Sequence, residues 1–301
     1  MAQDTPEFFY VFAGRGVDDK TTLESVRRVF KDRPDIEVRS LTARQLSGMA
    51  RLDPHKIRGF MLPGGAKPQY DESIGLKGFK KIREYVAKGG IFYGICAGAY
   101  YASRELEWRP GTGEYKYKTP GLDFFNGLAR GPEPALMHSE QASGEWKDAC
   151  VISFESEIEG QKQIGQALYW DGPVLFSRDY YQDIDVLAHI VLEQARLPAI
   201  LKIPHGKGHA ILSTIHPEIS AKQIGPYVDH DPELACRITS KLEDSDTVRE
   251  MLWMDLLGLA IDNRPANIYT PLTGHKKQLR SGRMDTREYS REDSPPRLAA
   301  G

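Results

Sequence analysis

Apolar residues along this chain fall into short runs separated by polar, helix-compatible stretches, and the alternation starts almost at once. Glu7 to Ala13 (EFFYVFA) is a nearly continuous apolar run rich in aromatic residues, the pattern of a strand buried on both faces. Gly14-Arg15-Gly16 ends it, and from about Thr21 to Lys31 the residues Leu23, Val26, Val29 and Phe30 recur at helical spacing. Ile36 to Leu41 alternates as a strand, Ala43 to Arg51 reads as a helix, and Ile57 to Leu62 (IRGFML) is a further strand that stops at Pro63-Gly64-Gly65. A helix from about Leu76 to Lys88 then leads into the apolar run Gly90 to Ile95. Strands and helices in alternation predict an α/β fold with a doubly wound, mostly parallel sheet, whose sites lie at the carboxyl ends of strands.

Beyond the helix that follows Ile95 the pattern changes. Trp108 to Gly131 is rich in Gly, Pro and aromatics, and Ala149 to Phe154, Gln166 to Trp170, Pro173 to Phe176 and Val186 to Leu192 read as shorter strands, an antiparallel elaboration of the same domain. Ala199 to Pro204 and His209 to Thr214 form a hairpin around Gly206-Lys207-Gly208, and two helices, about Pro232 to Leu242 and Asp246 to Ile261, close the pattern. The expected organisation is one domain over residues 1–263 and a polar, flexible tail over 264–301. From Gly274 to Gly301 that tail holds seven Lys/Arg against four Asp/Glu and a single aromatic, Tyr289.

Chemistry concentrates where the strand ending at Ile95 stops. Gly94-Ile95-Cys96-Ala97-Gly98 places a cysteine between two glycines at a strand-to-helix turn, the sequence form of a nucleophile elbow. With 28 glycines and 3 cysteines in 301 residues the pattern arises by chance only about 0.03 times. The flanking glycines let the backbone turn tightly, and the first N–H groups of the following helix face the sulfur. A cysteine nucleophile needs a base and a group that orients the base. His216 and Glu218 supply both types: the last core strand runs into them, and residues two apart on a strand face the same side, so the carboxylate can hold the imidazole at the strand's end. Gly64 and Gly65, at the end of a neighbouring strand, bring backbone N–H groups within reach of a developing oxyanion, with the Ala97 N–H as second donor. The candidate set is therefore Cys96, His216 and Glu218 as catalytic residues and Gly65 and Ala97 as the oxyanion hole, with Gly64 and Tyr100 in a substrate pocket. Tyr101, Phe124, Phe125 and Trp170 are further candidates to line that pocket, against the plainer reading that they are core.

Composition narrows the remaining classes. A chain that is 40 % hydrophobic and 27 % charged has the composition of a globular protein, and a net charge of −2 from well-mixed residues gives no global field for nucleic acid or an anionic membrane. The N-terminal apolar stretch is too short for a signal or membrane span, so a cytoplasmic location is expected. Cys96, Cys150 and Cys236 lie far apart without C-x-x-C spacing, which argues against a disulfide framework or a zinc site. No metal and no cofactor are expected.

Pro63-Gly64-Gly65, Gly94-Ile95-Cys96-Ala97-Gly98 and His216-Pro217-Glu218, in that order and at those strand ends, resemble the class I glutamine amidotransferase domain over roughly residues 7–220. Within that superfamily the chain is most similar to the N-terminal domain of eukaryotic-type biotin–protein ligase. The residues that carry this closer likeness are Pro63-Gly64-Gly65-Ala66 with Tyr70, Gly94 to Tyr101 with Ser103, Phe124-Phe125, Arg130-Gly131-Pro132 and the Gly-Lys-Gly strand leading to His216-Pro217-Glu218. The resemblance implies a flavodoxin-like sheet, a Cys-His-Glu triad and a small amide or acyl ligand. Two departures stand out. Tyr100 occupies the position where class I amidotransferases usually carry a substrate-holding glutamine, and neither a synthetase nor a biotin-ligase catalytic domain is expected within these 301 residues. The resemblance therefore implies either a stand-alone amidohydrolase or acyl transferase, or a catalytically silent ligand-binding or regulatory module, and either reading leaves room for an unidentified protein partner.

Overall fold

The computed structural model describes residues 7–262, apart from 66–67, 111–114, 119–120, 138–147, 159, 180, 194 and 226–230. The tail expected over 264–301 lies outside the described residues. Its first five elements follow the sequence pattern closely: β1 (Glu7–Ala13), α1 (Asp19–Val29), β2 (Ile36–Thr42), α2 (Ala43–Gly48) and β3 (Ile57–Leu62). The next helix, α3 (Pro68–Ala87), is broken at Gly75, whose φ of 61° interrupts the helical path, so the helix expected from Leu76 is its second half. β4 (Ile91–Ile95) and the six-residue α4 (Ala97–Ala102) complete the doubly wound part.

Alternation along the central strands explains why their sequences read as unbroken apolar runs. In β1, Phe9 and Val11 enter one core while Tyr10 and Phe12 enter the other. Met61 of β3 and Tyr93 and Ile95 of β4 join the first, and Phe60, Leu62 and Phe92 the second. Each strand therefore buries both of its faces, as a sheet covered on two sides demands. Residues of α2, α3 and α4 belong to the core on one face, and Val26 of α1 to the core on the other.

The elaboration is larger than the sequence suggested, and it forms two structures. β8 (Cys150–Ile158), β9 (Gln161–Tyr169), β11 (Asp185–Val191), β12 (Arg196–His205) and β13 (Gly208–Ser213) extend the main sheet to nine strands, in the order β2-β1-β3-β4-β13-β12-β11-β8-β9. The first five in that order are parallel, and the rest run antiparallel to their neighbours. A separate four-stranded sheet, β10-β7-β5-β6, is built from β5 (Ser103–Trp108), β6 (Tyr115–Lys118), β7 (Phe125–Gly131) and β10 (Val174–Ser177). Its first three strands fall in or beside the Gly- and Pro-rich stretch, where no strand was expected. α5 (Pro232–Glu243) and α6 (Asp246–Asp262) end the described chain; Leu252, Trp253, Leu256 and Leu257 of α6 bury in the same core as Phe9 and Tyr93.

Candidate functional site

β3, β4 and β13 are adjacent and parallel, with Leu62 and Leu212 both in register with Gly94. Their carboxyl ends consequently deliver Gly64, Cys96 and His216 to one edge of the sheet. The turn after β4 is sharp: Cys96 sits at φ 51° and ψ −104°, a conformation costing about 1–3 kcal/mol for a residue with a side chain. Its N–H donates to the Ser213 carbonyl of β13 at 2.9 Å, and its carbonyl accepts from the Ala99 and Tyr100 N–H groups of α4. The flanking glycines are needed for close approach. A Cβ at Gly94 would lie 2.7 Å from the Gly98 carbonyl oxygen, and one at Gly98 would lie 2.2 Å from the Leu62 carbonyl oxygen.

His216 and Glu218 do not sit on a strand, as their spacing suggested; β13 ends at Ser213 and the chain turns out, with the His216 N–H donating to the Leu168 carbonyl at 2.8 Å. The turn, rather than strand alternation, brings the two side chains together. His216 Nδ1 and Glu218 Oε1 are 2.7 Å apart, and both residues are buried. Burial on its own would strip the proton from His216, but the Glu218 carboxylate and the neighbouring Cys96 sulfur outweigh it, and its pKa lies well above that of a free imidazole. The Cys96 sulfur lies close enough to this ring to help raise its pKa. Among the described residues Nε2 is unpartnered, and the thiol instead donates to the Trp170 carbonyl at 3.4 Å.

Gly64 lies against both groups. A Cβ there would meet His216 Cε1 at 2.8 Å and the Cys96 Cβ at 3.6 Å. Gly65, at φ 153°, is pressed by the loop after β1: a Cβ would sit 2.4 Å from the Gly16 carbonyl oxygen. Its N–H donates to no described backbone carbonyl, and Ala97, as the first residue of α4, has no acceptor within its own helix. Among the described residues no group of three His, Cys, Asp or Glu is placed to hold a metal ion, and no helix is long and apolar enough to cross a membrane.

The family model for the N-terminal region of biotin–protein ligase matches residues 10–273, most of the sequence. The chain belongs to the biotin–protein ligase N-terminal family. The biotin–protein ligase of Schizosaccharomyces pombe is 27 % identical over 166 residues, which are 54 % of this chain and 26 % of that protein. An uncharacterized protein of Chlamydia muridarum is 36 % identical over 72 residues, 24 % of this chain and 28 % of its own length. The matched region thus spans about a quarter of each relative. A glutamine amidotransferase from Thermotoga maritima superposes with a TM-score of 0.54 over 86 % of this chain and 99 % of its own, at 12 % identity, which is a likeness of fold. The fold is the flavodoxin-like one of class I glutamine amidotransferases.

In this family member the aromatic residues expected to line a pocket are mostly core. Tyr100 is 2 % exposed, its hydroxyl donates to the Asp171 carbonyl at 3.1 Å, and its ring meets Trp108 edge-on. Tyr101 packs on Tyr70 and Phe79, Phe124 on Phe92, and Phe125 on Tyr181. Trp170 contributes its carbonyl to the site, a role that no side-chain pattern signals.

Asp171, which nothing in the sequence singled out, is a further buried polar group near the site. It is 6 % exposed at φ 56°, and its Oδ1 has no partner among the described residues. Burial, reinforced by Asp148 and opposed by Arg109, lifts its carboxyl pKa to about 7. An acid whose folded pKa is raised binds its proton more tightly in the native state. Stability therefore falls as pH rises from the unfolded value of about 4 towards 7, and then levels off. Asp171→Asn keeps the shape, suits the left-handed backbone and removes the titration. Thermal melts are expected to show the variant level with wild type at low pH and more stable at pH 8, by up to about 4 kcal/mol. Parallel stability curves across this range would contradict the assignment.

Proposed function

We propose that this chain is a cysteine-dependent amidohydrolase or acyl transferase acting on a small amide or acyl ligand. Cys96 is the nucleophile, His216 the proton carrier and Glu218 the residue that orients it. The observation that carries this reading is a buried histidine held by a carboxylate at 2.7 Å, beside the sulfur of a cysteine at a strained strand-to-helix turn.

In the forward step the thiol proton is carried on His216, whose raised pKa favours the protonated ring, the sulfur attacks the carbonyl carbon, and the oxyanion is met by the Gly65 and Ala97 N–H groups, each worth about 3 kcal/mol. His216 then gives its proton to the leaving amine as the carbon–nitrogen bond breaks, leaving a thioester on Cys96. Water, deprotonated by His216, hydrolyses the thioester and restores the thiol. Glutamine is not the proposed substrate, because Tyr100 stands where a substrate-holding glutamine is usual and its hydroxyl is already bonded to the Asp171 carbonyl.

One observation favours the second reading, a ligand-binding or regulatory module without turnover: the thiol rests on the Trp170 carbonyl while His216 Nε2 has no partner among the described residues. Incubation with a panel of small amides and activated esters, followed by peptide mass mapping, separates the two. Hydrolysis or transfer predicts an acyl adduct on the Cys96 peptide that is missing from Cys96→Ala. Saturable binding with no adduct on any cysteine would overturn the enzymatic reading in favour of the silent module.

A further inference from the structure

The turn that carries His216 and Glu218 is held by a side chain the proposed reaction does not use. Pro217 lies between the two, and its carbonyl accepts a hydrogen bond from Nη1 of Arg249 in α6. Arg249 is 1 % exposed, and its Nε and Nη2 donate to Asp246 Oδ1 at 3.3 and 3.1 Å. The same Asp246 oxygen accepts the Ala221 N–H at 3.3 Å. One guanidinium and one carboxylate on α6 therefore grip the outgoing chain at residues 217 and 221.

Burying this cation is costly: loss of hydration lowers its pKa, and Asp246 offsets only part of that. An apolar residue of similar volume would often pack there at no loss of stability. What the guanidinium adds is direction, because its rigid planar fork meets the Pro217 carbonyl with one arm while the other is fixed on Asp246.

We propose that Arg249 is a positioning residue which fixes the Pro217 carbonyl and so sets the orientation of His216 and Glu218 relative to Cys96. This rests on the reading of Cys96 and His216 as a reacting pair. The charged groups that bear on Arg249 are Asp246 and Glu250 of its own helix and Arg28 of α1, whereas those that bear on His216 are Glu218 and Cys96. The contact that joins Arg249 to the turn is the Pro217 carbonyl, so the influence passes through the backbone there.

The test uses the full chain, alkylated with iodoacetamide between pH 5 and 9 and followed by peptide mass mapping of all three cysteines. Exposed Cys236 serves as the internal reference, and buried Cys150 reports loosening of the core. Arg249→Gln is expected to slow Cys96 labelling at pH 7 by about ten- to a hundredfold and to change its pH profile, leaving Cys150 protected. Arg249→Lys, which keeps a donor and the charge, is expected to recover most of that loss. Should Arg249→Gln not fold, Asp246→Asn tests the same grip from the helix side. It keeps an acceptor for the Ala221 N–H but weakens the hold on Arg249, and a slowing in the same direction is expected.

A folded Arg249→Gln or Asp246→Asn variant with the wild-type profile at Cys96 overturns the proposal. So does a loss at Cys96 that only accompanies the exposure of Cys150, since that is the signature of a purely structural role. A His216→Ala variant run alongside separates the two levels. If it labels like wild type, the reacting pair itself is refuted; if it is slow while Arg249→Gln is not, only the role of Arg249 falls.

Discussion

Gly64→Ala is expected to leave the protein folded and to slow the reaction of Cys96 by about a hundredfold. The backbone at position 64 lies outside the left-handed region, so an L side chain can be accommodated locally. The new methyl carbon would nonetheless stand 2.8 Å from His216 Cε1, well inside contact distance, and the ring must turn or shift. His216 is held at Nδ1 by Glu218 at 2.7 Å, so displacement comes at the expense of that bond or of the approach to the sulfur. Misplacement by about 1 Å at a reacting centre costs on the order of a hundredfold. Iodoacetamide labelling of Cys96, measured with a thermal melt of the same sample, checks both halves. A folded Gly64→Ala protein with wild-type reactivity at Cys96 would show that the ring position is irrelevant to the sulfur.

Gly98→Ala, only two residues past the cysteine, has the opposite signature. Here the added carbon would meet backbone, the Leu62 carbonyl oxygen at 2.2 Å, with the Leu62 Cβ at 3.0 Å behind it. Neither atom can swing aside as a flexible side-chain end would, so α4 must move off β3 and open the packing of Ala97, Ala99 and Tyr101. A loss of roughly 3 kcal/mol or more is expected, at the upper end of what overpacking costs. Urea denaturation followed by circular dichroism measures it. A loss below roughly 1 kcal/mol would mean that the elbow yields, and that its glycines are not set by packing. Together the two variants divide the glycines of the site into one that shapes the imidazole's place and one that shapes the fold.

Much of this was legible in the sequence because the central strands announce themselves. β1, β3 and β4 bury both faces, so their apolar runs are nearly continuous, interrupted inside only by Arg58 of β3. The glycines around Cys96 are similarly readable, since close backbone approach leaves no other residue type. The second sheet was not legible. β5 (SRELEW) carries Arg104, Glu105 and Glu107 in six residues, and its neighbour β6 (YKYK) alternates aromatics with lysines over only four. Such strands are defined by their partners rather than by their own composition. His216 and Glu218 were identified as a pair for a reason that proved incomplete: a strand's alternation predicts a shared face, whereas a turn anchored by the Leu168 carbonyl and Arg249 produces it. Contacts made through backbone carbonyls, those of Trp170 and Pro217 above all, leave no mark on the identity of the residue that supplies them.

The site works only if His216 and Cys96 act on each other, and the reactivities of the three thiols test this within one chain. Cys150 is buried, donates to the Leu136 carbonyl and has its pKa pushed up to about 12 by loss of hydration, so it should stay unlabelled at neutral pH. Cys236 is exposed and sets the rate of an ordinary surface thiol. In a timed reaction with a small alkylating reagent at pH 7, Cys96 is expected to be modified first although it is only 8 % exposed, and His216→Ala is expected to remove that advantage. If Cys96 reacts no faster than Cys236, or keeps its lead without His216, the claim is contradicted.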